Sequence, residues 1–126
     1  MRQTFARIHN VLAWIIFVAS VLQILWISLA YFGAIEVGIH AAAGFFTSVF
    51  ALLMFISSLV VRVNRQNILL SLAVFLLLFP IQGLLAYSDE LPDVIQGLHG
   101  LTGMLILGLA YYLAIGKYKA TTYQEG

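Results

Sequence analysis

Two histidines lie inside long apolar stretches, in matching company. His40 is followed by Gly44 and preceded by Gln23; His99 is followed by Gly103 and preceded by Gln82 at identical spacings. An ionisable side chain inside an apolar span is costly and turns toward other protein groups rather than lipid. Two imidazoles facing each other supply both axial ligands of a six-coordinate b-type haem, which needs no cysteine for attachment. A glycine one helical turn after each histidine shares its face and leaves room for a flat macrocycle or for a closely packed helix. Gln23 and Gln82 could donate hydrogen bonds to an axial imidazole, a haem edge or a quinone, or simply join helices. Other chemistry fits the same residues: a proton relay, a transition-metal site in which Glu36 joins His40 and His99, or a hydrogen-bonded pair with no cofactor.

The coincidence extends along the chain. A shift of 59 residues, without a gap, lays Gln23 on Gln82, Leu25 on Leu84, Gly38 on Gly97, His40 on His99, Gly44 on Gly103 and Ala51 on Ala110. Each half then reads as one helical hairpin, the two related by a pseudo-two-fold along the membrane normal.

The elements that must position these residues are long. A helix needs about 20 apolar residues to cross the hydrocarbon core, and four stretches qualify, at about 8–32, 37–61, 68–87 and 94–116. Periodicity cannot separate strand from helix in continuous apolar runs, but length can, and helices satisfy their own backbone groups in lipid. The expectation is an all-α integral membrane four-helix bundle, residues 1–126 forming a single four-span domain. Gly33, the polar stretch 62–67 and the turn 88–93 punctuate it. Pro80, inside the third span, removes a backbone hydrogen bond and predicts a kink.

Composition agrees. The chain is 63% apolar and 9% charged, whereas soluble domains carry roughly a quarter charged residues. Without cysteine, disulfides, thiolate metal sites and cysteine nucleophiles are excluded. No nucleophile constellation, phosphate loop or paired carboxylate appears, so an electron-transfer or accessory subunit is expected rather than an independent enzyme. The scattered basic residues form no patch for nucleic acid. Arg2 and Arg7 before an apolar run resemble a signal peptide, but the run is too long and lacks a cleavage site, so it reads as a retained span.

Charge sets the expected orientation. Arg2, Arg7, Arg62, Arg65, Lys117 and Lys119 fall on one side with Glu125; Glu36, Asp89, Glu90 and Asp93 fall on the other. Basic residues stay in the cytoplasm, which predicts a multi-pass protein of the bacterial inner membrane with both termini cytoplasmic. The opposite side lacks Arg and Lys, so haem propionates there would rely on Ser28, Tyr31, Tyr87, Ser88, backbone amides and water. His9, beside Asn10 at the start of the first span and without a repeat partner, is expected at the interface. Trp14, Trp26, Tyr111, Tyr112, Tyr118 and Tyr123 read as interfacial or packing aromatics. Thr47, Ser48, Ser57 and Ser58 need no catalytic role.

With the His40/His99, Gly44/Gly103 and Gln23/Gln82 pairs in hand, the chain resembles a family of small four-span bacterial membrane proteins. It is similar to one half of the haem A synthase fold and, more loosely, to four-helix membrane cytochromes b. The resemblance covers most of the chain. It implies haem b between His40 and His99 as axial ligands, and electron transfer; the short tails outside the spans favour partnership with other subunits of a larger membrane complex. The chain is about half the size of haem A synthase and has no glutamate within a span to match the synthase's catalytic acid, which turns the implication away from synthase chemistry. The alternatives are a non-redox structural or accessory membrane subunit without cofactor, and a quinone-binding element using Gln23 and Gln82.

Overall fold

The chain is described here by a computed structural model covering residues 2–61, 64–87 and 92–116. Helix α1 (Arg2–Tyr31) is followed by α2 (Val37–Val61). The third span comprises α3 (Arg65–Leu76), a π-helical turn (Leu77–Ile81) and α4 (Gln82–Tyr87). One turn of helix, α5 (Asp93–Gln96), precedes α6 (Leu98–Ile115). Four helices, beginning at Gln3, Val37, Arg65 and Leu98, are long and apolar enough to cross a membrane. This is an all-α four-helix bundle consistent with a multi-pass membrane protein. Large apolar side chains such as Phe45, Phe46, Leu101 and Met104 point outward, more than half exposed, as suits a lipid surround.

Local signals explain where helices stop. After α1, Gly33 adopts a left-handed φ of 72°. Its N–H donates to the carbonyl of Ala30 at 3.0 Å, and that of Ala34 donates to Leu29 at 2.9 Å. This is a Schellman ending, which satisfies carbonyls otherwise left without partners. An added Cβ at Gly33 would meet nothing within 4 Å, so only backbone strain opposes a side chain. Gly33→Ala is therefore expected to cost about 1 kcal/mol, read as a lower midpoint in SDS unfolding. At the other end of the bundle, the Asn64 side chain accepts from the Asn67 N–H at 2.8 Å and caps α3.

At Pro80 the helix is disturbed in a specific form. The helix widens into a π turn, and the Gln82 N–H reaches back to the carbonyls of Leu77 and Phe79. A π turn takes up one extra residue, so the face presented by α4 is re-registered relative to α3, immediately before Gln82. From α2 the Ser48 hydroxyl, 3.0 Å from the Gly44 carbonyl, also lies 3.3 Å from that of Leu78 in the widened turn. The fourth span differs from the continuous 94–116 helix of the sequence reading. Gly97 separates α5 from α6 and carries no side-chain cap. Residues 62–63 and 88–91 of the connections, with Lys117, Tyr118, Lys119, Tyr123 and Glu125, lie outside the described residues.

Neighbouring helices pack around a square: α1 against α2, α2 against α3, the third span against α6, and α6 against α1. The diagonals, α1 to α3 and α2 to α6, have no close backbone approach. The apolar core fills the half toward Asn64, where Leu12, Ala13, Ile16, Ala51, Met54, Val74, Ile106, Ala110 and Leu113 are buried. Small residues there bring backbones together, and the Asn10 amide donates to the Ala114 carbonyl at 2.7 Å. Phe17 of α1 packs on Tyr111 of α6 with centroids 5.4 Å apart.

His9 corrects an expectation. Rather than sitting at the interface, it is fully buried, its Nε2 3.0 Å from the Ser71 hydroxyl on the diagonally opposite α3. Ser71 donates to the Asn67 carbonyl at 2.8 Å. With its one proton so engaged, Ser71 accepts from His9, and the imidazole carries its proton on Nε2.

Candidate functional site

His40 is the fourth residue of α2 and His99 the second of α6. Both stand near the Gly33 end of the bundle, opposite the apolar core. Their helices are diagonal, so the rings meet across the centre. The ring centroids are 6.0 Å apart and the planes cross at 64°. An imidazole nitrogen about 2 Å from a metal, with its ring centre about 1 Å behind, puts two opposed rings about 6 Å apart. Edge-to-face packing spans the same range, so distance alone does not choose between them; the hydrogen bonds add the next constraint.

The Nδ1 of His40 lies 3.2 Å from the backbone carbonyl of Gln23 on α1. A carbonyl only accepts, so this nitrogen carries a proton. In the neutral ring, Nε2 then holds a lone pair. Metal-binding histidines are held in this way: the second nitrogen donates to a carbonyl, which fixes the tautomer and raises the basicity of the ligating one. The His99 ring is in turn held by the backbone of Gln82, and its own backbone carbonyl accepts from the Gln82 amide at 3.2 Å and from the Thr102 hydroxyl at 3.0 Å.

The repeated positions therefore meet in both hairpins, the histidine ring against the glutamine backbone; in the second, the glutamine side chain also donates to the histidine backbone. Each glycine serves the glutamine of its own hairpin. A Cβ on Gly44 would lie 3.4 Å from Gln23 Nε2, and one on Gly103 would lie 3.5 Å from Gln82 Nε2. These are ordinary contacts with flexible side chains. Gly44→Ala and Gly103→Ala are thus expected to change stability by less than about 0.5 kcal/mol in SDS titration, whereas leucine at either position displaces the glutamine.

A cavity of about 210 Å³ joins these residues. Its wall is Ser20, Gln23, Ile24 and Ile27 of α1, His40, Gly44 and Thr47 of α2, Leu78 and Gln82 of the third span, and His99, Gly100, Gly103 and Ile106 of α6. All six residues expected at the site converge on it. None of the lining side chains carries a fixed charge. Both amide atoms of Gln23 and the Oε1 of Gln82 are buried without partners, an arrangement that leaves unmet hydrogen-bonding capacity at the centre of the bundle.

Glu36 stays at the exposed edge before α2, and among the described residues no third His, Cys, Asp or Glu gathers with the pair. Structural zinc sites take four protein ligands and catalytic ones three, so the pair of imidazoles does not by itself make such a site. Ser28 donates to the Ile24 carbonyl of its own helix at 2.7 Å and Tyr31 is 85% exposed. The Tyr87 side chain and Ser88 lie outside the described residues. Ser20, which did not stand out in the sequence, and Thr47, expected to need no catalytic role, also line the cavity; each hydroxyl donates to its own helix, at 2.8 and 2.7 Å. The signal for Ser20 was the i, i+3/i+4 stripe His9, Ala13, Ile16, Ser20, Gln23. Comparison with protein-family models, curated proteins and solved structures finds no match.

Proposed function

We propose that the chain binds haem b between His40 and His99 and works as an electron-transfer protein of the membrane, as a subunit of or partner to a larger membrane complex. The observation that carries this reading is the pair of imidazoles 6.0 Å apart on diagonal helices, with the His40 ring anchored through Nδ1 so that Nε2 is available. The bound group would supply one-electron chemistry. The protein's own part is to hold the two rings, exclude bulk water with the apolar core below, and offer the Gln23 and Gln82 amides to polar edges. The partly open cavity of about 210 Å³ is below the roughly 300–1,000 Å³ of whole cofactor pockets, so a macrocycle would enter only with Gln23 and Gln82, which lie over the glycines, displaced.

The test is a dithionite-reduced minus air-oxidised absorption spectrum of protein purified from cells well supplied with haem. A sharp α-band supports the reading; a colourless protein defeats it in favour of a structural subunit. A second reading rests on the Gln23 amide, buried and unpartnered at the cavity: a quinone carbonyl would accept from its Nε2. A thermal shift with quinone that Gln23→Leu removes, in haem-free protein, favours that reading.

For orientation, the segregation of basic and acidic residues supports both termini in the cytoplasm of a bacterial inner membrane. A fluorescent reporter fused after Gly126 should fold and fluoresce, and alkaline phosphatase fused there should be inactive; the converse pair of results reverses the topology.

A further inference from the structure

We infer that the cavity opens sideways into the lipid, through a slot between α1 and α6 at the level of Ile24 and Gly100, and that haem reaches the two histidines from the bilayer by this route. The slot stands on its own observations; the identity of its occupant rests on the haem reading above.

The cavity is partly open. Among the described residues of its wall, Ile24, Ile27 and Gly100 are the exposed ones, and all three belong to α1 and α6. The lining residues of α2 and of the third span are buried or half-buried. Helical spacing puts Ile24 and Gly100 on the edges by which α1 and α6 face each other. Residues seven or eleven apart share a helix face. Ile24 lies seven residues after Phe17, and Gly100 eleven before Tyr111; the Phe17 and Tyr111 rings meet with centroids 5.4 Å apart. Lower still, the Asn10 amide joins the same two helices at the Ala114 carbonyl. The seam is therefore filled at that end. Toward the Gly33 end it is bordered by a residue without a side chain, where an added Cβ would meet nothing within 4 Å. The seam that the repeat makes equivalent, between α2 and the third span, is bridged by the Ser48 hydroxyl, 3.3 Å from the Leu78 carbonyl.

The slot faces lipid rather than water. Ile24 and Gly100 both lie in helices long and apolar enough to cross a membrane, and Ile24 is seven residues, about 10 Å, before the end of α1. Val21 and Ile24 on one rim and Met104 on the other are exposed apolar side chains. A charged, water-borne ligand would lose its hydration along such a rim without a partner. A flat and largely apolar macrocycle moving edge-on would not.

The slot is tested first without haem. The chain has no cysteine, so Thr47→Cys places a single thiol on the buried far wall of the cavity. Haem-free protein in phosphatidylcholine vesicles is treated with methyl methanethiosulfonate, which is neutral and lipid-soluble, or with its cationic trimethylammonium analogue. The neutral reagent should modify the thiol at least about tenfold faster than the cationic one, and Gly100→Leu should slow it at least about tenfold. Gly108→Leu, equally free of neighbours but off the cavity wall, should leave the rate unchanged. Ser20→Cys, on the α1 wall, repeats the measurement independently. Comparable rates for the two reagents, no reaction with either, or no effect of Gly100→Leu overturns the slot. Haem dissolved in the same lipid is then offered to wild type, Gly100→Leu and Gly108→Leu while the Soret band is followed. Gly100→Leu should slow uptake and release alike. A loss of haem from Gly100→Leu without slower uptake and release overturns the route. A wild type that takes up no haem, with the thiol results as expected, overturns the haem reading and leaves the slot standing.

Discussion

His40→Ala is expected to strip the protein of nearly all its haem while leaving the bundle folded. On the haem reading His40 is an axial ligand, held with its Nδ1 proton on the Gln23 carbonyl at 3.2 Å. Losing merely such an outer partner costs a metal site about 10–100-fold, so losing the ligand itself costs more. The fold should survive because His40 lies at the Gly33 end, away from the cluster of Ile16, Met54, Ile106 and Leu113 that fills the other half. Pyridine haemochrome content, measured beside far-UV circular dichroism, separates the two effects. Full haem content in a folded His40→Ala protein would move the ligand elsewhere.

The largest effect on stability is expected at the opposite end, where His9→Ala should cost about 2–4 kcal/mol, mainly through the cavity left by a large buried side chain. Ser71→Ala breaks the same 3.0 Å hydrogen bond yet should cost only about 1 kcal/mol or less, because hydrogen bonds between membrane helices contribute modestly. His9 spans the diagonal between α1 and α3, whose backbones do not approach closely, so no neighbouring side chain simply closes the gap. SDS unfolding of both variants checks this. Equal, small losses would mean that His9 contributes only its hydrogen bond.

His9 also shows what could and could not be read from the sequence. Its position near the start of the first span favoured an interfacial assignment, and Ser71, 62 residues away, has no counterpart in the internal repeat. The helical stripe from His9 through Ala13, Ile16 and Ser20 to Gln23 was the available sign that it faces inward. The four spans were legible because length alone requires helices in lipid, and Gly33 marked the end of α1 because only glycine enters the left-handed region without strain. The meeting of His40 and His99 was legible from the repeat: equal offsets on helices two and four put both rings at one depth. The extra bond from the Gln82 amide to the His99 carbonyl was not, since spacing cannot say whether a side chain or a backbone group does the bonding. Pro80 announced a disturbance, but the extra residue of the π turn, which sets the register of Gln82, depends on packing against α2 and α6.

The repeat and the square packing give the site a simple logic. Each hairpin contributes one imidazole, one glycine and one glutamine, and the diagonal placement of α2 and α6 turns two hairpins into one central pocket. Such a site forms only when the hairpins assemble, so haem binding and bundle formation should be linked thermodynamically.

Electron paramagnetic resonance of the oxidised protein, wild type beside His40→Ala and His99→Ala, tests most directly whether both histidines hold one iron. A low-spin ferric signal in the wild type, replaced by a high-spin signal or lost in each variant, is the predicted result. A low-spin signal that persists unchanged in either variant would contradict it.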